Sequence, residues 1–210
     1  TSVFGEAHEE PLGTLDYQAQ IARGTKDWSG AIGYRRRALE IGKRLYPQGD
    51  YQVRDLELAF DEARRNAART DEQRRLLSQA AAANGQVVAL HEKGNLAEAI
   101  TLAEQALGVR EKVLGKEHPE YATSLYNLAA QYDSMGNYAQ AEPLYVETKR
   151  IWGRVLGKEH PDYATSLNKL AMLYCSMGDY ARAEPLLVEA KAIKEKVLGN
   201  EHSSYVTSLS

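Results

Sequence analysis

The chain has 210 residues, 43% hydrophobic and 26% charged, with a formal net charge of -3. That composition is ordinary for a folded protein and supplies enough apolar material for a continuous core. Basic and acidic side chains are evenly mixed, 13 of each over residues 1–78 and 13 against 16 afterwards, which argues against nucleic acid, and no apolar run nears the roughly 20 residues a bilayer requires.

Residues 1–50 hold a faded pattern that returns 110 residues later. Gly5, His8, Leu15, Trp28 and Ala31 match Gly115, His118, Leu125, Tyr138 and Ala141. Residues 51–78 have no such match. They are highly charged and helix-prone (ELAFDEARRNAARTDEQRRLL) and read as an inserted helix or helix pair. Thr70 followed by Gln73 has capping-box spacing and predicts a helix restart near Asp71.

A 42-residue block then recurs over 79–120, 121–162 and 163–204, and its last two copies agree at 26 of 42 positions without a gap. Gly94, Gly136 and Gly178 align, as do Ala99, Ala141 and Ala183. The VLG-x-EH string recurs at Val113–His118, Val155–His160 and Val197–His202. Residues 205–210, YVTSLS, open a further copy, so the array is expected to continue. A fixed period of this kind marks a stack of units, because one unit cannot bury its own apolar face.

Each block predicts two helices. Ala122, Leu125, Leu128, Ala129 and Tyr132 share a face of the first. Gly136 supplies the left-handed residue that ends it, and Asn137, or Asp179 in the next copy, is placed to cap the second. Tyr138, Ala141, Leu144, Tyr145, Thr148, Ile151, Trp152 and Val155 form the stripe of the second helix. Gly157 marks its end, and Pro161 suits the first turn of the helix that follows. Pro143 and Pro185 fall inside second helices, where a lost hydrogen bond should bend them slightly. Alanines at 129, 141, 171 and 183 permit close helix approach. Tyrosines at 132, 138, 174 and 180 fill the gaps between hairpins.

These residues resemble the tetratricopeptide repeat. Its signature appears as Leu125, Leu128-Ala129, Tyr132, Gly136-Asn137-Tyr138 and Ala141. The 42-residue form, with its LNNLA-like, GDYAxAEPL and VLGxxHP strings, looks like the repeats of kinesin light chains and related bacterial arrays. The match is specific over 79–210 and weaker over 1–50. The resemblance implies an all-α fold, a right-handed α-solenoid of antiparallel helix hairpins. It also implies that the first helix of each pair lines a concave groove for partner peptides. By register that groove would present Arg23 (with Asp16, Tyr17 and Gln20), then Asn84 and Val88 (with His91). Tyr126, Asn127 and Asp133 (with Ala130) would follow, then Asn168, Lys169 and Met172 (with Cys175). In the family an asparagine often stands at the position of Asn127 and bonds peptide backbone. Here Gly85 and Lys169 replace it in the neighbouring copies.

Other chemistry finds little support. His118, His160 and His202 recur one per block before Pro or Ser. Successive blocks sit roughly 10 Å apart, too far for ligands of one ion, so these histidines are expected to cap or brace turns. Cys175, the single cysteine, has no base at supportive spacing and reads as an inert thiol in a reducing, cytoplasmic setting. The Arg35–Arg37 run reads as a solvated helix face. The pairs Glu9-Glu10 and Asp61-Glu62 read as surface. Gly157-Lys158 lacks the rest of a phosphate loop. No catalytic, metal or cofactor site is expected. The leading expectation is a non-catalytic scaffold that holds a protein or peptide segment in the groove, with no nucleic acid and no membrane partner. Self-association through exposed repeat ends is a further possibility. The alternative is a regulatory or sensor arm of a larger multidomain enzyme, a kinase, caspase-like protease or NTPase, with residues 51–78 as the contact.

Overall fold

The computed structural model describes the backbone of residues 11–207 and the side chains of residues 11–197. The expectations placed on Gly5, His8, Glu9, Glu10 and the His202 side chain lie outside these residues. All regular elements among the described residues are α-helices. The chain divides into two compact units, meeting in sequence at Asp71 and Glu72.

The first unit contains α1 (Leu12–Gly24), α2 (Trp28–Leu45) and α3 (Tyr51–Ala68). Leu15, Ala38 and Ile41 form its core, with Leu12, Tyr34 and Leu56 packed around them. Asp27 and Asp50 start α2 and α3 by accepting from the amides of Gly30 and Gln52. The turn between α1 and α2 passes through Lys26 at φ 61. In the 110-residue register this is the position of Gly136, which sits at φ 71. The repeat geometry therefore imposes a left-handed backbone on a residue with a Cβ, at a cost of about 1–2 kcal/mol.

The second unit contains α4 (Asp71–Glu92) from Glu72 onward, α5 (Leu96–Leu114), α6 (Pro119–Ser134), α7 (Tyr138–Val155), α8 (Pro161–Ser176) and α9 (Tyr180–Thr207). α4 starts where the capping-box spacing put a helix, and it runs unbroken through Ser78 and Gln79. Consecutive helices pack as antiparallel hairpins, and each hairpin leans on the next. Val87, Ala99, Ala103 and Leu128 join α4, α5 and α6. Ala129, Ala141, Tyr145, Leu170, Ala171, Tyr174 and Ala183 join α6 through α9. Ala129, Ala141 and Ala171 are fully buried, as close helix approach requires. α7 continues through Pro143.

The histidines cap. His118 and His160 take extended backbone before Pro119 and Pro161, and each Nδ1 accepts from the amide two residues on, Glu120 at 3.2 Å and Asp162 at 3.0 Å. Glu117 and Glu159 beside them accept from Arg154 of α7 and Lys196 of α9, the same pair one repeat apart.

Four expectations need correction. Asn137 sits at the N-cap of α7 but makes no side-chain cap bond, whereas the Asp179 carboxylate accepts from the Arg182 amide at 3.1 Å. The Arg182 guanidinium also binds that carboxylate at 2.5 Å and holds it in place. The third VLG-x-EH string does not turn, since α9 runs through it to Thr207. Pro119 and Pro161 force the preceding histidine out of helical backbone, but Ser203 after His202 imposes no such limit. Tyr180 is 69% exposed, because no described element covers that side of α9. Arg35, read as part of a solvated face, is half-buried and ion-paired to Asp16.

Lys26→Gly should stabilise the first unit by about 1 kcal/mol, since glycine adopts the left-handed turn without strain. Thermal unfolding followed by circular dichroism checks it, with an expected rise of a few degrees. His160→Ala should cost about 1–2 kcal/mol and His160→Asn much less, because asparagine restores a cap acceptor.

Candidate functional site

The first helices of the second unit carry every expected groove residue except Asp16, Tyr17, Gln20 and Arg23, which lie on α1 of the first unit. Val88 on α4 and Met172 on α8 are both 56% exposed and occupy one register two repeats apart. Asn127 and Asn168 are half-buried on α6 and α8. Neither side-chain amide has a hydrogen-bond partner among the described residues. Burial pushes the Asp133 carboxyl of α6 above its ordinary value of 3.8, and the Lys169 ammonium of α8 offsets part of the rise. Tyr145 of α7 lies fully buried near them, with no hydrogen-bond partner for its hydroxyl. Burial, then Asp133 and Tyr126, drive that phenol's pKa well above its ordinary value. The junction of α6 and α8 thus gathers free amides, a half-desolvated carboxylate and an opposing ammonium.

Two expected groove residues are committed elsewhere. Tyr126 packs edge-on to Tyr145, with centroids 5.7 Å apart, and lies 5.6 Å from Trp152. It is a wall of the core. Asn84, with its amide oxygen turned to Arg110, accepts from two guanidinium nitrogens at 2.9 and 3.3 Å. Arg110 is 4% exposed and also reaches Ser124 and Glu120. A buried guanidinium without such partners would be strongly destabilising. In the first unit Arg23 is exposed on α1, and its side chain makes no hydrogen bond or ion pair among the described residues. Gln20 donates to Asp16 at 2.6 Å.

This geometry is repeated hairpin by hairpin, and a sequence profile of the tetratricopeptide repeat matches residues 78–151 and 127–196. The chain belongs to the tetratricopeptide-repeat family. Its fold is similar to that of a Podosopora anserina structure described as kinesin light chain nearly identical TPR-like repeats. There the TM-score is 0.50 and the identity 22%, over 90% of this chain and 98% of that one. It is also similar to BtubC (BKLC) from P. vanneervenii, with a TM-score of 0.55 and 18% identity over 90% of this chain and 81% of that one. No curated protein sequence matches the chain.

Tetratricopeptide-repeat arrays serve as protein-interaction scaffolds, and here a third expected groove residue is also tied to a neighbouring helix. His91 of α4 shares a 2.8 Å hydrogen bond with Gln131 of α6 and ties two first helices together. Arg110 was missed by the sequence reading, whereas Tyr145 is buried on the apolar stripe where the spacing put it. A signal for Arg110 was present: positions 110 and 152, one repeat apart, hold Arg and Trp, against Asn84 and Tyr126 at the matching first-helix position. A column that changes in step with its partner column marks a contact.

Because burial raises the Asp133 pKa, its ionised form is the less stable one in the folded chain, and stability falls as pH climbs from 3.8 through the folded-state value. Asp133→Asn should therefore raise the melting temperature at pH 7, and the gain should fade below about pH 4. Paired melts at pH 7 and pH 3 test this.

Proposed function

We propose that the second unit is a non-catalytic module that holds an extended segment of a partner protein across α4, α6 and α8. The observation that carries the reading is the pair of unpartnered amides, Asn127 and Asn168, on successive first helices. An amide offers a donor and an acceptor together, which matches one peptide unit. Val88 and Met172 give apolar contact along the same helices. Asp133 and Lys169 offer opposite charges, one for a segment N–H and one for a carbonyl. The helices are braced by His91–Gln131 and by the Arg110 cluster, so little ordering is left to binding and micromolar affinity, about -8 kcal/mol, is in reach. We further read residues 79–120, 121–162 and 163–204 as the repeat units, residues 1–50 as a degenerate unit and residues 51–78 as an inserted helical segment. The single thiol supports a cytoplasmic setting.

A peptide ligand selected from a displayed random library on the wild-type chain provides the probe. Asn127→Ala with Asn168→Ala should weaken it by about tenfold to thirtyfold at unchanged helicity, since each lost amide contact contributes about 1 kcal/mol. Unchanged affinity in calorimetric titration would remove the groove reading. Tyr126→Ala is not a clean probe, because it opens the aromatic core.

A further inference from the structure

We propose that the first unit has a cleft of its own, selective for a partner peptide that places a bulky apolar side chain beside a carboxylate. The cleft measures about 230 Å³ and lies between α1, α2 and α3. Its floor is alanine: Ala19 and Ala31 are 3% and 5% exposed, and α3 adds Ala59 and Ala63. The repeat register explains the empty volume. Arg35 stands where the second unit has Tyr145, and Asp16 where it has Tyr126. In the second unit Tyr145 is fully buried in one cluster with Leu170 and Tyr174 of the following helix. In the first unit Arg35 is drawn into an ion pair with Asp16, and the following helix brings Ala59 and Ala63, with Glu62 and Asn66 as its polar lining, and no large apolar side chain. What is core in one unit is open space in the other. The cavity is smaller than typical small-molecule pockets, roughly 300–1,000 Å³, and suits one side chain.

Charge selects the occupant. Of the charged residues lining the cleft, Arg35 is neutralised by Asp16, and Glu62 by Arg69 and Arg65. Arg23 has no ion pair among the described residues. The uncompensated charge is thus a guanidinium, whose planar fork suits a carboxylate. Trp28 supplies an aromatic wall for the apolar neighbour. The proposal rests on the reading of this array as a peptide-binding module, but it concerns a separate unit and a separate set of residues.

The test uses Trp152→Phe, which leaves Trp28 as the remaining tryptophan of two. Three series of blocked nonapeptides are titrated, with a central Leu or Phe flanked by Glu, by Gln or by Lys. The Glu series should shift Trp28 emission and bind about tenfold tighter than the Gln series, with the Lys series weakest. Arg23→Gln should erase the preference for Glu over Gln, and Ala63→Leu should abolish the Trp28 response. Arg23 is exposed, so its variant reports on recognition even if Ala63→Leu fails to fold. Absence of binding, equal binding of the Glu and Lys series, or a preference that survives Arg23→Gln overturns the proposal. A silent Trp28 in a chain that still loses its displayed ligand through Asn127→Ala with Asn168→Ala sinks the cleft and keeps the groove.

Discussion

Everything in the second unit depends on close approach of helix axes at alanine. Ala99, Ala122, Ala129, Ala141, Ala164 and Ala171 are fully buried, and Ala103 and Ala183 nearly so. Small side chains let the hairpins nest, and nesting is what removes the larger stripes from water. A single hairpin would leave Tyr145 or Leu170 exposed, and each contributes roughly 1.5–3 kcal/mol only once its neighbour arrives. Stability is therefore shared between units. That sharing leaves the side of the first helices that carries Asn127 and Asn168 free of core duty, apart from Tyr126 and Asn84.

The same packing position can be filled by very different chemistry, provided the partner position changes with it. Tyr126 against Trp152 and Asn84 against Arg110 fill one pair of positions, Asp16 against Arg35 fills the positions of Tyr126 and Tyr145, and each closes a first helix onto the second helix that follows it. The aromatic pair is held by dispersion and by edge-on ring geometry. The polar pairs put a guanidinium out of water and need several acceptors to balance it, which explains why Arg110 draws on Asn84, Ser124 and Glu120 at once. Volume is not conserved in these exchanges. An arginine that reaches sideways for a carboxylate leaves a hole where a tyrosine would have stood.

The repeat, the helix pairs and the all-α fold were legible because they follow from period, from glycine at the left-handed turn and from proline at the helix start. The capping role of His118 and His160 was legible for the same reason, since both precede proline at a fixed place. Lys26 hid its left-handed backbone because its side chain gives no hint of it. Asn84 and Tyr126 were placed on the groove by register alone. Register reports a helical face, but it does not report whether the facing helix offers a partner for the side chain. Arg35 was misread because a run of three arginines looks uniform, while its neighbours Arg36 and Arg37 take other directions on the helix.

The junction of α6 and α8 is not at an electrostatic optimum in the free chain. The Asp133 carboxyl is held above its ordinary pKa by burial, and the Tyr145 hydroxyl is buried without an acceptor. Each is a polar group that has lost water and gained little in return; for the fully buried Tyr145 hydroxyl that state costs about 1–3 kcal/mol, and for the half-exposed Asp133 carboxyl less. Core packing alone would favour phenylalanine at 145 and an apolar residue at 133. A bound segment with an N–H facing Asp133 would recover part of that cost on binding. The affinity of the proposed groove would then come partly from relieving an existing penalty, and it would fall if the carboxyl were protonated before the segment arrived.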